Sequence, residues 1–444
     1  MRISHQPRTP GPAEGLRLTV DVASVAFEGK GVARHEGRVV FVPHTAPGDR
    51  AAVRVTRDRK SFLEAELEEV LTPGPGRREP PCPHCATCGG CQLMHLTYAA
   101  QLEAKRVFVR DALHRIGHVQ VEPDAVVGAQ SDTGYRRRAT LRGRTARGGV
   151  VLGFLRQQTH DLVDVAHCMV LAPALDRAAA MLRAQLEKEA EALGESELRV
   201  DMVADADDRV ALLVWIARRD TAVWDRIARA LFADGVVVEA RDEAGRTVSA
   251  PPATRLRYAL NAAGRTLDYH FTPGAFTQIN FEQNQRLVDT VLALAGEGPF
   301  ARTLDLYSGI GNYSLPLALR SGTLTGIESA PHAVEDARAS AARAGITNAT
   351  FIASSAQAGV AELIRTEQTF DLVLLNPTRA GAEGIGRELV RLRAPRMIYV
   401  SCHPPTLARD IALLVADGYR LERVVPIDLF PQTYHVESVA VLTL

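Results

Sequence analysis

Lysine is nearly absent: Lys30, Lys60, Lys105 and Lys188 are the whole set, against 52 basic residues in a chain of 444. Basic chemistry therefore rests on arginine, which suits bidentate phosphate contacts and stacking on bases, although an alanine-rich, arginine-rich chain also fits a compositional bias. Net charge is missing too, since 52 acidic residues balance the 52 basic ones. The whole molecule has no electrostatic pull on nucleic acid, so any such pull must come from local patches. No apolar run reaches the roughly 18 residues of a membrane span, and Met1-Arg2-Ile3-Ser4-His5-Gln6-Pro7 lacks the hydrophobic core of a signal peptide. The expected location is cytoplasmic, with no membrane partner. The composition is otherwise that of an ordinary soluble protein, 46% hydrophobic and 23% charged, long enough for about three domains.

Cysteine is sparse but unevenly spread. Four of the six, Cys82, Cys85, Cys88 and Cys91, fall within ten residues, leaving Cys168 and Cys402 apart. In a reducing compartment this clustering reads as a metal or iron–sulfur site instead of a disulfide framework. Thiolates two or three residues apart on the loop Cys82-Pro83-His84-Cys85-Ala86-Thr87-Cys88-Gly89-Gly90-Cys91 can converge on one centre, and the glycines let the backbone fold around it. Spacing leaves zinc and iron–sulfur both open.

Residues 1–15 read as a loose polar tail. From Leu16 to residue 74, short alternating runs between glycine turns predict a small antiparallel β-barrel of the kind that binds RNA. Arg54, Arg57, Arg59 and Lys60 offer phosphate contacts there, with a solvated hairpin tip as the favoured alternative. Residues 75–270 read as an α+β domain carrying the cysteine loop and a helix over 97–117. In Tyr135-Arg136-Arg137-Arg138-Ala139-Thr140-Leu141-Arg142-Gly143-Arg144, with Arg147 following, alternate arginines of a strand share one face as a phosphate-tracking stripe, and Tyr135 is placed to stack on a base.

Residues 271–444 alternate strand and helix and predict a seven-stranded, doubly wound α/β sheet. Its first strand ends in the turn Ser308-Gly309-Ile310-Gly311-Asn312, which lets backbone approach a cofactor, and Glu328 ends the next strand, placed to accept from a ribose diol. Near the chain's end the apolar run Met397-Ile398-Tyr399-Val400-Ser401 stops before Cys402, and Thr406 is expected to cap a helix that ends near Asp417-Gly418. A cysteine on the carboxyl rim of such a sheet is a candidate nucleophile, with a small buried hydrophobe as the alternative. At a helix N-terminus its thiol pKa is expected to be lowered.

These motifs, together with Phe276-Thr277-Gln278-Ile279-Asn280, Thr406-Leu407-Ala408-Arg409-Asp410 and His435-Val436-Glu437-Ser438, resemble the RNA uracil-5-methyltransferase family over nearly all of the chain from Leu16 onward. The resemblance is to the branch with a TRAM barrel and an iron–sulfur cluster. It implies an OB-like TRAM barrel, a central cluster-bearing domain and a C-terminal Rossmann-like class I methyltransferase domain, with helix 97–117 packed on the last. It further implies a [4Fe-4S] centre on Cys82, Cys88, Cys91 and Cys168, leaving Cys85 extra. S-adenosylmethionine contacts fall on Gln278, Tyr307, Asn312, Glu328, Ser355 and Asn376. RNA contacts fall on Tyr135, Arg136, Arg137, Arg138 and Phe276, with Cys402 as nucleophile and Glu437 as general base. The implied partner is RNA, ribosomal RNA before transfer RNA, and the expected state is a monomer.

Three positions depart from the family pattern: Asn376 replaces an aspartate, His403 replaces the asparagine after the cysteine, and Ser355 replaces an acid or amide at the adenine end of the cofactor. Asn376 can both accept and donate hydrogen bonds, so charge no longer enforces uracil and cytosine stands as an alternative base. A non-catalytic RNA-binding or chaperone protein on the same fold is the alternative from another class.

Overall fold

The computed structural model describes residues 11–146, 149–217, 220–250 and 254–444. Arg147 and most of the expected N-terminal tail therefore lie outside the described residues. The chain divides into two compact units, one of residues 1–108 and 432–434, the other of residues 109–431 and 435–444.

The first unit contains β1 (Arg17–Asp21), β2 (Ser24–Val25), β3 (Lys30–His35), β4 (Arg38–Pro43), β5 (Arg50–Asp58) and β6 (Phe62–Thr72) in one sheet of order β1-β5-β6-β4-β3-β2. Alternation of buried Val40 and Val42, Val53 and Val55, and Leu63 and Ala65 builds its core. Glu36 and Gly37, both at positive φ, close the two-residue turn from β3 to β4. The expected antiparallel barrel is corrected in two respects. Strands β4 and β6 pair in parallel, and among the described residues no pairing joins edge strands β1 and β2. The physical reason is length: β2 has only two residues, too few to close a ladder. Arg54 pairs with Glu66, and Arg57 lies 3.7 Å from Glu64; exposed pairs of this kind add little stability. Helix α1 (Tyr98–Arg115) follows the cysteine loop.

The second unit first builds a sheet of β7 (Arg138–Ala146), β8 (Gly149–Leu155), β9 (Leu162–Asp164), β10 (Ser196–Ala204), β11 (Val210–Ile216), β12 (Val236–Asp242) and β13 (Thr247–Ser249). Helices α2 (Pro173–Lys188) and α4 (Thr221–Ala233) bury Leu175, Leu182, Trp224 and Ile227 against it, with the short α3 (Ala190–Leu193) between them in sequence. The hairpin of β14 (Leu256–Ala262) and β15 (Arg265–Phe271) then leads to α5 (Phe281–Ala295). Asn280 caps α5 by accepting from the Gln283 amide at 3.2 Å.

The remaining strands are β16 (Phe300–Leu306), β17 (Ser321–Glu328), β18 (Ala349–Ala353), β19 (Leu372–Leu375), β20 (Arg396–Ser401), β21 (Arg420–Ile427) and β22 (Glu437–Thr443). Helices α6 (Ser314–Ala318), α7 (Pro331–Arg343), α8 (Ala356–Arg365), α9 (Gly386–Arg391) and α10 (Pro404–Ala416) connect them. The order β18-β17-β16-β19-β20-β22-β21 is the seven-stranded, doubly wound sheet read from the sequence. Its order reverses between β16 and β19, so their carboxyl ends flank the crevice where ligands of such sheets bind. Val109, Ala112 and Leu113 of α1 join Leu407, Ala408 and Ile411 of α10 in one apolar cluster.

Candidate active site

Tyr307 follows β16 and Asn376 follows β19, so the strand pairing Leu306↔Leu375 sets both on the carboxyl rim. The Asn376 amide donates to Leu306 O at 3.3 Å. Tyr307 has φ +61°, a conformation that costs a non-glycine residue about 1–3 kcal/mol and persists where the surroundings enforce it. Together with Phe276, Gln278, Asn312 and Tyr313, these residues line a narrow, partly open cavity of about 30 Å³.

The turn is held from both sides. On one, Glu328 Oε2 accepts from the Gly309 amide at 3.1 Å, while its Oε1 accepts from the Ala330 amide at 2.8 Å. On the other, Asn312 Oδ1 accepts from the Tyr258 hydroxyl and from Asn284 Nδ2, both at 2.8 Å, and Asn312 Nδ2 donates to Asn284 Oδ1 at 3.0 Å. This reciprocal amide pair sets the orientation of Asn312 and leaves one of its N–H donors unused. Gln278, 6% exposed, donates to the Tyr313 hydroxyl at 3.5 Å. Ser355 stands apart from the cavity wall; its side chain caps α8 by accepting from the Ala358 amide at 3.2 Å.

Cys402 and Glu437 come together through strand register. In the antiparallel β20–β22 pair, Ser401 faces Ser438, and one further step sets Cys402 opposite Glu437. Glu437 is 3% exposed, and burial pushes its carboxyl up to about 8. The Cys402 thiol is pushed up to about 11, by burial first and by the Glu437 charge second, while the Arg379 guanidinium beside it pulls the other way. The lowered thiol pKa expected from a helix N-terminus is thus overturned. Helix α10 begins with Pro404 and Pro405, which have no N–H, and the Thr406 amide is taken by His403 Nδ1 at 3.4 Å. His403, not Thr406, is the helix cap, which accounts structurally for one departure from the family pattern.

Two residues without an assigned role in the sequence enter here. Arg379, in the turn after β19, stands close enough to Cys402 for its charge to act on the thiol, and lies 3.1 Å from His435 Nε2; its signal was its place in Asn376-Pro377-Thr378-Arg379. Asp305, inside the apolar text of β16, accepts from Ser314 Oγ at 2.5 Å, and burial pushes its carboxyl up to about 7. Tyr313, in the cavity wall, has its phenol raised by burial first and by the Glu437 charge second.

The expected RNA-contact residues divide. Tyr135 is 8% exposed and donates its hydroxyl to Pro431 O at 2.8 Å, which leaves no open face for a base. Arg137 donates to Asp205 O and Asp208, and its guanidinium lies over Phe281; Arg138 donates to Ala275 O and lies over Phe276. Both brace the segment carrying Gln278. The Arg136 amide donates to Val170 O at 2.9 Å. Phe276 is 60% exposed at the cavity mouth. Across the central sheet, Arg142, Arg199, Trp215 and Arg241 are successive cross-strand neighbours.

Comparison with known proteins identifies the family and the fold. The family model described as tRNA (Uracil-5-)-methyltransferase matches residues 97–444, and the TRAM domain model matches residues 13–67. The chain belongs to the RNA uracil-5-methyltransferase family. Among relatives of this methyltransferase, the 23S rRNA (uracil(1939)-C(5))-methyltransferase RlmD of Pectobacterium atrosepticum is 35% identical, covering 95% of this chain and 93% of that one. The protein of the same name from Halomonas elongata is 37% identical, covering 97% and 90%. The crystal structure of Pyrococcus abyssi tRNA (uracil-54, C5)-methyltransferase in complex with S-adenosyl-L-homocysteine superposes with a TM-score of 0.69 at 24% identity, covering 96% of this chain and all of that one, and so shares the fold.

The cysteine loop gathers less tightly. The Cys88 amide donates to His84 O at 2.8 Å, and the Gly90 amide lies 3.4 Å from Cys88 Sγ. No disulfide joins any of the six cysteines among the described residues. Their chemistry suits a thiolate-bound metal centre, yet among the described residues no three His, Cys, Asp or Glu side chains gather as a metal-binding group.

Proposed function

We propose that this methyltransferase methylates C5 of a uridine in 23S ribosomal RNA, with Cys402 as nucleophile and Glu437 as general base. The carrying observation is the β20–β22 register, which sets a buried carboxylate opposite the candidate thiol. S-adenosylmethionine, when bound, supplies the methyl group in electrophilic form. Gln278, Tyr307, Asn312 and Asn376 in the cavity wall, with Glu328 bracing the turn beside them, would hold it, whereas Ser355 is taken up in capping α8. The cavity fits a polar ligand, because Thr277 Oγ1 and Ser308 Oγ in its wall are buried without hydrogen-bond partners and a side chain added at Gly309 would meet nothing within 4 Å.

Uracil C5 is a weak nucleophile. Addition of the Cys402 thiolate at C6 forms the S–C6 bond and moves an electron pair toward C5 and O4, making C5 able to take a methyl group. Glu437 then removes the C5 proton, and that electron pair expels the Cys402 sulfur and restores the ring. A carboxyl raised to about 8 suits a base working near neutral pH. The positive charge of Arg379 beside the sulfur favours its anionic form. The target base must leave its stack to reach a buried pair, and exposed Phe276 offers it a ring. Arg142 and Arg144, which have no ion pair among the described residues, remain available to phosphates.

The [4Fe-4S] assignment to Cys82, Cys88, Cys91 and Cys168 rests on the soft donor set and on the Gly90 amide directed at one sulfur; the centre would act as a structural staple. Iron and sulfide analysis of anaerobically purified protein, with Mössbauer spectra, tests it, and zinc in place of iron would overturn it. Methyl transfer is tested by mapping 5-methyluridine in 23S RNA from cells with and without the chain, and in vitro with Cys402→Ala. Unchanged methylation in Cys402→Ala would overturn the assigned nucleophile.

A further inference from the structure

The segment Thr406-Leu407-Ala408-Arg409-Asp410 stands out in the sequence, yet none of its residues lines the cavity. Thr406, Arg409 and Asp410 share one face of α10, at spacings of three and four residues. That face meets the turn carrying Arg379. Thr406 Oγ1 donates to Arg379 O at 3.1 Å, Arg409 Nη2 donates to Ala380 O at 2.8 Å, and Asp410 Oδ2 accepts from the Ala382 amide at 2.8 Å. Gly381 completes the run: a Cβ there would collide with Asp410, Arg409 and Thr406, and its φ is +80°. Four consecutive residues are therefore pinned by three side chains of one helix turn. Asp410 is itself held, since it is 5% exposed, accepts from the Tyr399 hydroxyl at 2.6 Å and from Arg409 Nε at 2.9 Å.

Helix α10 begins two residues after Cys402. The same rigid element thus fixes the strand end carrying the thiol and the turn carrying its guanidinium neighbour. We infer that the Thr406–Arg409–Asp410 face is a splint whose function is to hold Arg379 against the Cys402 sulfur, with Asp410 as the principal positioning residue. These side chains touch no reacting atom; they act through Arg379. The inference rests on Cys402 being the nucleophile only for its effect on methylation, because the splint itself is readable in the free protein.

The test is alkylation of Cys402 by iodoacetamide in full-length protein, without RNA or cofactor, followed across pH by mass spectrometry that resolves the six cysteines. Loss of the Arg379 contact raises the thiol pKa, and each tenfold loss of thiolate slows alkylation about tenfold. Asp410→Asn is expected to shift the profile toward higher pH and slow alkylation near neutral pH by about tenfold. Arg379→Ala should give the same shift, and Asp410→Asn added to Arg379→Ala should give no more. In methyl transfer, kcat falls while KM for RNA stays constant. Should Asp410→Asn not fold, Thr406→Val and Arg409→Gln, each removing one carbonyl contact, carry the same measurement. A folded splint variant with an unshifted alkylation profile, or additive effects in the double variant, overturns the inference. Absence of methyl transfer in the unsubstituted protein would instead overturn the functional reading and leave the alkylation result standing.

Discussion

Replacing Glu437 by glutamine should stabilise the protein while arresting its chemistry. The carboxylate is 3% exposed and has no hydrogen bond or ion pair among the described residues, so its charge is uncompensated and burial lifts its pKa from 4.5 to about 8. Between those values the folded chain keeps a proton that the unfolded chain has lost, and stability falls as pH rises through the window. Above about pH 8 the cost levels off; at about 1.4 kcal/mol per tenfold it is on the order of 5 kcal/mol. Glutamine matches the protonated form in shape and never ionises. Glu437→Gln should therefore unfold at higher denaturant than the unsubstituted protein at about pH 9, with the gap shrinking toward about pH 5. The same variant can form the S–C6 bond but cannot take the C5 proton, so it should accumulate an RNA–protein adduct stable to denaturing gels. An equal or lower denaturation midpoint at about pH 9, or the same gain at both pH values, would refute the buried-charge argument.

Other outcomes follow from the same residues. Arg379→Ala should lower kcat by about ten- to a hundredfold with little change in RNA binding, since it removes a cation beside the sulfur; a pure KM effect would assign it to RNA contact instead. Cys402 and Glu437 both react in their deprotonated forms and both are raised, to about 11 and about 8, so kcat/KM should climb with pH through about 8, and a maximum below neutrality would contradict the assignment. Asn376→Asp should keep uracil methylation within about tenfold and sharpen rejection of cytosine RNA, because the carboxylate only accepts hydrogen bonds; identical base selectivity in both proteins would remove Asn376 from base choice.

Most of the C-terminal fold was legible because its signals are local. Each strand of the doubly wound sheet is an apolar run bounded by a turn; the run read over Met397–Ser401 is observed as Arg396–Ser401, and Glu328 ends its strand as read. The N-terminal sheet was less legible for the opposite reason. Alternation predicts strands but not partners, and neither the parallel β4–β6 pairing nor the missing closure has a local cue. Tyr135 shows the same limit at the level of one residue. A tyrosine beside three arginines looks like a stacking platform, and only the distant carbonyl of Pro431 shows where its hydroxyl goes.

At the site, the sequence nominated candidate reacting groups but did not gauge their state. Position on a strand end is enough to nominate Cys402, and the register with β22 brings Glu437 to it. Acidity, however, is a sum over neighbours from several elements. The simple helix-end argument predicted a more acidic thiol, yet Pro404 and Pro405 remove the very N–H groups that would lower it, and Glu437 adds a charge that raises it. The proline pair that pre-sets the φ angles of the first turn of α10 thereby leaves activation of the sulfur to a side chain. Arg379 is that side chain, and its own position depends on three residues farther along α10. Thiol reactivity in this protein is therefore a property of the turn after β19 and the helix after β20 together, which explains why a motif with no reactive atom of its own, Thr406 to Asp410, sits beside the candidate nucleophile.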